Sequence, residues 1–311
     1  MRTMTLNELK SRWEQVEVRD NAFVRVPVDH PLEFQMGRGT SGFKSLIVEN
    51  TEDLSGMDIP SSEAVRAENV HMKNGGWNLE IQLVQPDYEE EFLLLCWDLI
   101  DSTQNSHKPM QDMINRYLRW QKFLQYARSD IMSFSRQKGL LGELIYLKGC
   151  LECMDPDAAV NAWVGAEGSD QDFQFADSWA EIKTVALASN SVRISSLEQL
   201  DQENPGILII YTLEKTGEEE KTVSLPEAVN EICALLSGHP ACQDRFEVKL
   251  YKYGYRREDE KRYGENRFRI CGSREYYVDD KFPKLTRKNT HSAIESAKYY
   301  LSLAGIEEYR R

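Results

Sequence analysis

No stretch of this 311-residue chain stays apolar over the eighteen or so residues that a membrane-crossing helix needs. Met1 to Val16 lacks the apolar segment of a secretory signal, so the expected location is cytoplasmic, with no membrane contact. Cysteine is sparse. Cys96, Cys150, Cys153, Cys233, Cys242 and Cys271 lie scattered in apolar or strand-like contexts, which suits reduced core thiols rather than a disulfide framework. Cys150 and Cys153 form a C-x-x-C, but Cys233 and Cys242 lack the spacing of a second half-site, so structural zinc is not expected. The five histidines form no pair at helical spacing. There is no glycine-rich phosphate loop, internal repeat, low-complexity tract or helix-turn-helix, so the chain carries no ATP-driven motor of its own. Positive charge is also short: 38 Lys and Arg against 51 Asp and Glu leave a net charge of −13, which opposes long-range attraction to a polyanion.

Apolar residues make up 41% of the chain and aromatics 10%, enough to bury a sizeable core. Thr5 to Val16 reads as a short amphipathic helix. Phe23 to Val28, Phe43 to Glu49, Trp77 to Val84 and Glu91 to Ile100 read as strands, which makes 1–104 a β-rich subdomain. Pro109 to Tyr126 repeats its apolar residues at helical spacing and opens a second part, 105–214. Gly206 to Leu213 is a continuous apolar run fit for a buried strand, and Val192 to Ile194 is expected to extend the same sheet. Ser195 with Glu198, and Ser224 with Glu227, have the spacing of helix capping boxes. The third part, 215–311, is an α/β extension in which Phe246 to Tyr255 and Asn266 to Cys271 read as strands. The pattern from Ser296 to Leu303 suits helix and strand equally.

The chemistry concentrates between Gly139 and Asp201. Leu140, Leu144, Leu147 and Leu151 mark one face of a helix, and Glu143 falls on or beside that stripe. A carboxylate buried there must be hydrogen-bonded, ion-paired or bound to a metal, because an unpaired buried charge costs several kcal/mol or more; the alternative is an edge glutamate that reaches solvent. From Asp172 to Lys183 the pattern is a β-hairpin turning at Ala176-Asp177. Pairing Phe175 with Ser178 sets Asp172 directly across from Glu181, and Lys183, two residues on, shares the face of Glu181. Like charges facing across strands destabilise a sheet unless something bridges them, and a divalent cation with hard oxygen ligands does so. An alternative is a plain Glu181–Lys183 ion pair on a strand face.

Glu143, Asp172 and the Glu181-x-Lys183 pair resemble the signature of the PD-(D/E)XK nuclease superfamily. GLLGEL at 139–144, EIKT at 181–184, ISSLEQLD at 194–201 and the stretch Tyr277 to Leu285 are similar to a bacterial, defence-associated family of such proteins. The proline of the name is absent, since Gln171 precedes Asp172, and Asp170 competes for the ligand role. The resemblance implies an α/β (α+β) fold with a restriction-endonuclease-like core in 105–214, a central mixed sheet flanked by helices. It implies a metal-dependent endonuclease acting on DNA in restriction or phage defence. Glu143, Asp172 and Glu181 would hold Mg2+, or Mn2+ in its place, and Lys183 would orient the attacking water. Gln199, on the short helix expected after Ser195, reads either as facing this site to bond the water or a phosphate, or as a surface polar residue. Families of this kind sit near ATPase and methyltransferase genes, so partner subunits of those classes are expected. Cutting both strands of a duplex requires two active sites, which suggests a homodimer. The rival reading keeps the fold and drops the chemistry, leaving a catalytically inactive DNA-binding or scaffold subunit.

One segment offsets the acidity. Lys249 to Arg274 holds nine Lys or Arg against four acids, interleaved with Tyr251, Tyr253, Tyr255, Tyr263 and Phe268. That composition suits phosphate contacts and base stacking, and equally suits a solvated, charged hairpin.

Overall fold

The computed structural model describes residues 3–16, 22–38, 42–51, 53–54, 57, 59–62, 64–72, 75–125, 131–217 and 221–311. The chain divides into two compact units, Met1–Asp130 and Ile131–Arg311.

Unit 1 begins with helix α1 (Leu6–Gln15), whose Thr5 and Glu8 form a reciprocal capping box. Strands β1 (Ala22–Arg25), β2 (Phe34–Arg38), β3 (Lys44–Thr51), β4 (Val65–His71) and β5 (Trp77–Leu83) build an antiparallel sheet in the order β1-β2-β3-β5-β4. Two helices follow, α2 (Glu89–Thr103) and α3 (Pro109–Gln125). The expected strand at Glu91 to Ile100 is therefore a helix. Its apolar residues are nearly continuous and show no period, and Glu89, Glu90 and Glu91 in the first turn favour a helix by complementing its positive end. The expected boundary near residue 104 falls between two helices that pack on each other: Arg116 and Trp120 of α3 both bond Asp98 of α2. Tyr126, the last residue of the expected helix, lies outside the described residues.

Unit 2 opens with helix α4 (Phe134–Cys153) and the short α5 (Pro156–Ala162). Strands β6 (Phe173–Gln174) and β7 (Trp179–Val185) form the hairpin, and β8 (Ser191–Ile194) follows. The long β9 (Gly206–Thr216), β10 (Thr222–Ser224), helix α6 (Leu225–Leu235) and helix α7 (Pro240–Tyr253) come next. The chain ends with α8 (Glu260–Gly264), β11 (Arg267–Val278) and β12 (Tyr299–Ser302). The central sheet runs β10-β11-β9-β7-β6, with β7 and β9 parallel and the other pairs antiparallel. This is the mixed sheet flanked by helices that the sequence led one to expect. Leu140, Leu144, Val229, Ile232 and Phe246 cover the face that takes Ile182. Val192, Ile194, Leu301 and Leu303 cover the opposite face, with Leu208 and Ile210.

The hairpin register is the expected one, since Phe173 pairs with Ala180, Gln174 with Trp179, and the Phe175 N–H donates to Ser178 O at 2.8 Å. The Ser224–Glu227 capping box is present and opens α6. Other expectations need correcting. Phe246 to Tyr255 lies in α7 and its cap rather than in a strand. The helix is buried on most of its faces, so its polar residues fall among apolar ones and mimic alternation; Pro240 in its first turn and Gly254, at φ +106°, just past its end mark its limits. Val192 to Ile194 pairs with β12 in a separate two-stranded ribbon instead of extending the central sheet, which also settles 299–302 as strand. At Ser195 there is no capping box: a single 3-10 turn spans Glu198–Leu200, and Gln199 Oε1 accepts the Ser195 N–H.

Candidate active site

β6 pairs with β7 only as far as Ala180, so among the described residues Glu181 to Val185 has no strand neighbour on that side. The acids gather at this open edge. Asp172, just before β6, turns its carboxylate onto β7, where Oδ2 accepts the Ile182 N–H at 2.8 Å and takes the place of a missing strand partner. The adjacent loop supports it, because the Val164 and Gly165 N–H groups both donate to Asp172 O at 2.9 Å. On β7, Glu181 is fully buried and Lys183 Nζ bonds Glu181 Oε1 at 2.5 Å. Glu181 Oε2 is buried with no hydrogen-bond partner.

Glu143 comes from α4, which approaches β7 closely because Gly142 has no side chain: a Cβ there would meet Thr184 Cγ2 at 2.5 Å. Both carboxylate oxygens of Glu143 are bonded, Oε2 by Trp163 Nε1 and Oε1 by the Tyr253 hydroxyl, each at 2.7 Å. Trp163 and Tyr253 stack on each other at 6.3 Å, and the Arg136 guanidinium lies 5.5 Å from the centre of the Tyr253 ring. Helix α7 fixes the loop from behind, since Lys249 Nζ bonds Trp163 O.

Electrostatics tie the four groups together. Burial, and then the Asp172 charge, push the Glu181 carboxyl up to about 8. Burial and the neighbouring Asp172 hold Glu143 well above the usual carboxylate range, against its two hydrogen bonds. Burial raises Asp172 as well, against the pull of Lys183. Burial would lower Lys183, but the charges of Glu181 and Asp172 outweigh it and its ammonium is held above its ordinary value. Three carboxyls thus share one amine, an arrangement deficient in positive charge.

A divalent cation would relieve that deficiency, and the donors suit it. Among the described residues no three His, Cys, Asp or Glu side chains stand as a ready-made ligand set. The fit is instead to an ion that uses few protein ligands. The unpartnered Glu181 Oε2 and the neighbouring Asp172 carboxylate are hard oxygen donors, and Mg2+ commonly keeps its waters and takes one or two carboxylates beside substrate phosphates.

The structure therefore brings Glu143, Asp172, Glu181 and Lys183 together. Asp170 is exposed, so Asp172 is the acid that faces the site. The side chain of Gln199 bonds the backbone of Ser195 and makes no hydrogen bond to the acids. Sequence reasoning missed Trp163, Gly165 and Tyr253. The signal was thin: an indole nine residues before Asp172, and a tyrosine in a run taken for a strand.

Part of the basic-aromatic segment is committed within unit 2. Tyr251, Tyr255, Tyr263 and Phe268 are buried in the core, and so are Lys249 and Lys252. Arg257 pairs with Glu247 and Glu260, and Arg267 pairs with Glu227. Its alternating cations and rings follow the needs of α7 and β11.

A family model described as "Putative PD-(D/E)XK family member, (DUF4420)" matches residues 9–304. No curated protein and no solved structure matches the chain.

Proposed function

The chain belongs to this PD-(D/E)XK family, and we propose that it is a Mg2+-dependent endonuclease that hydrolyses phosphodiester bonds in DNA, serving restriction or phage defence. The observation that carries this reading is the meeting of Glu143, Asp172 and Glu181 around Lys183 at the open edge of β7, with one buried carboxylate oxygen unpartnered. Asp172 and Glu181 would hold the ion, Mn2+ serving in place of Mg2+, and Glu143 faces them from α4. Such an ion, when bound, polarises a phosphoryl oxygen and lowers the pKa of a bound water. Lys183 stays protonated beside two carboxylates, so it acts as a donor rather than a base. Its ammonium orients the attacking water and offsets the charge that gathers on the phosphoryl oxygens. Trp163 and Tyr253 keep the Glu143 carboxylate from swinging.

The net charge of −13 and the internal use of most cations in 249–274 favour weak DNA binding by the chain alone. Recruitment by ATPase or methyltransferase subunits, and assembly as a homodimer to cut both strands, belong to the same proposal.

The test is cleavage of duplex DNA, single-stranded DNA and RNA by the purified chain with Mg2+. Wild type is expected to cut DNA. Lys183→Ala is expected to lose on the order of 10²- to 10³-fold in rate while remaining folded. Equal cleavage by the variant would remove Lys183 from the mechanism. No cleavage by wild type with any partner present would leave the inactive scaffold as the better reading.

A further inference from the structure

Gly165 lies against the side chains of both Glu143 and Asp172. A Cβ at this position would lie 2.9 Å from Asp172 Oδ1 and 3.1 Å from both Asp172 Cα and Glu143 Oε2. The backbone conformation at this position does not itself require glycine. Gly165 opens a 3-10 turn (Gly165–Glu167), and it is absent from the positions with positive φ. Its N–H does what any residue's would, donating to Asp172 O. What the missing side chain provides is space beside Asp172, within about 3 Å of one oxygen from each of two acids that belong to different elements.

Neither oxygen can retreat cheaply from an added methyl. Asp172 is tethered through Oδ2 to the Ile182 N–H, and Glu143 is held through both oxygens by Trp163 and Tyr253. We propose that Gly165 is a positioning residue of the acid site: its missing side chain leaves the Asp172 carboxylate, with Glu143 beside it, room to sit where Asp172 and Glu181 take a divalent cation. The inference rests on the metal-site reading above and deepens it by naming the residue that sets the position of one ligand. A methyl at 165 would displace the Asp172 carboxylate from that position, so its effect falls on cation affinity before any chemistry.

The test is calorimetric titration of the full chain with Mn2+ alone, without nucleic acid. Gly165→Ala is expected to weaken Mn2+ binding by about 10- to 100-fold, the usual cost of disturbing the groups that orient metal ligands. Gly149→Ala, on α4 with open space at its Cβ position, is expected to bind as wild type does. Shortening the opposing acid should restore part of the loss, so Gly165→Ala with Glu143→Asp is expected to bind Mn2+ more tightly than Gly165→Ala alone. Wild-type affinity in Gly165→Ala would overturn the inference. If wild type itself takes up no Mn2+, the metal-site reading falls, and this inference with it. Should Gly165→Ala fail to fold, the combination with Asp172→Ala decides. Folding of that double variant would locate the clash at the Asp172 carboxylate, as inferred, whereas failure to fold would place it at the Asp172 backbone and overturn the inference.

Discussion

Two of the buried carboxylates, Asp98 and Glu181, sit under opposite conditions. Asp98 in unit 1 receives Arg116 Nε and Nη2 at 2.7 Å each and Trp120 Nε1 at 2.6 Å, so a planar guanidinium and an indole satisfy both of its oxygens. Glu181 in unit 2 receives one ammonium on one oxygen and nothing on the other, with a second carboxylate close enough to raise its pKa. The first is what a buried acid looks like when its task is to join two helices. The second spends stability on a local excess of negative charge, which a fold tolerates where something else is to bind.

Substitution should expose the contrast, beginning with the larger effect. Asp98→Ala leaves the Arg116 guanidinium without its bidentate partner and should cost about 3–5 kcal/mol in chemical denaturation, the usual penalty for breaking a buried pair. Glu181→Gln should act in the other direction on the metal-free protein. It removes a charge that its surroundings disfavour, so the melting temperature is expected to hold or rise by a few degrees while Mn2+ binding is lost. A large loss of stability in Glu181→Gln would make Glu181 another structural acid like Asp98 and erase the comparison.

A smaller effect follows from pH. Glu181 titrates near 8 in the folded chain against an ordinary value of 4.5. Between those values the folded state holds a proton that the unfolded state has released, so stability falls as pH rises through the window and levels off above it. The metal-free melting temperature is therefore expected to decline from pH 5 to pH 8, with the slope reduced in Glu181→Gln. A slope that the substitution leaves unchanged would assign the titration to other groups.

Much of the site was legible because it depends on short-range order. The hairpin register follows from one turn at Ala176-Asp177, and once Phe175 faces Ser178 the opposition of Asp172 and Glu181 is arithmetic. Glu143 was legible as an acid on or beside the leucine stripe, a position that suits an edge glutamate reaching solvent as well, and packing decides that it is buried. Its partners were not, because Trp163 lies 20 residues away and Tyr253 lies 110 away, and only tertiary packing brings them to it. The same limit explains the misread elements. Helices α2 and α7 are buried on several faces, and full burial removes the periodicity that separates helix from strand. The basic-aromatic segment misled for a related reason: Lys249 is a cation by composition, but it spends its charge on a backbone carbonyl inside the unit. Among the described residues no helix is long and apolar enough to cross a membrane.

The central claim is that the acids at the open edge of β7 are held together by a divalent cation. Calorimetric titration with Mn2+ of wild type beside Asp172→Asn tests it most directly, since the exchange keeps the side chain's shape and its hydrogen bond to the Ile182 N–H while removing the charge. Saturable binding by wild type and its loss in Asp172→Asn is the expected result. Equal binding by both proteins, or none by wild type, would contradict the account.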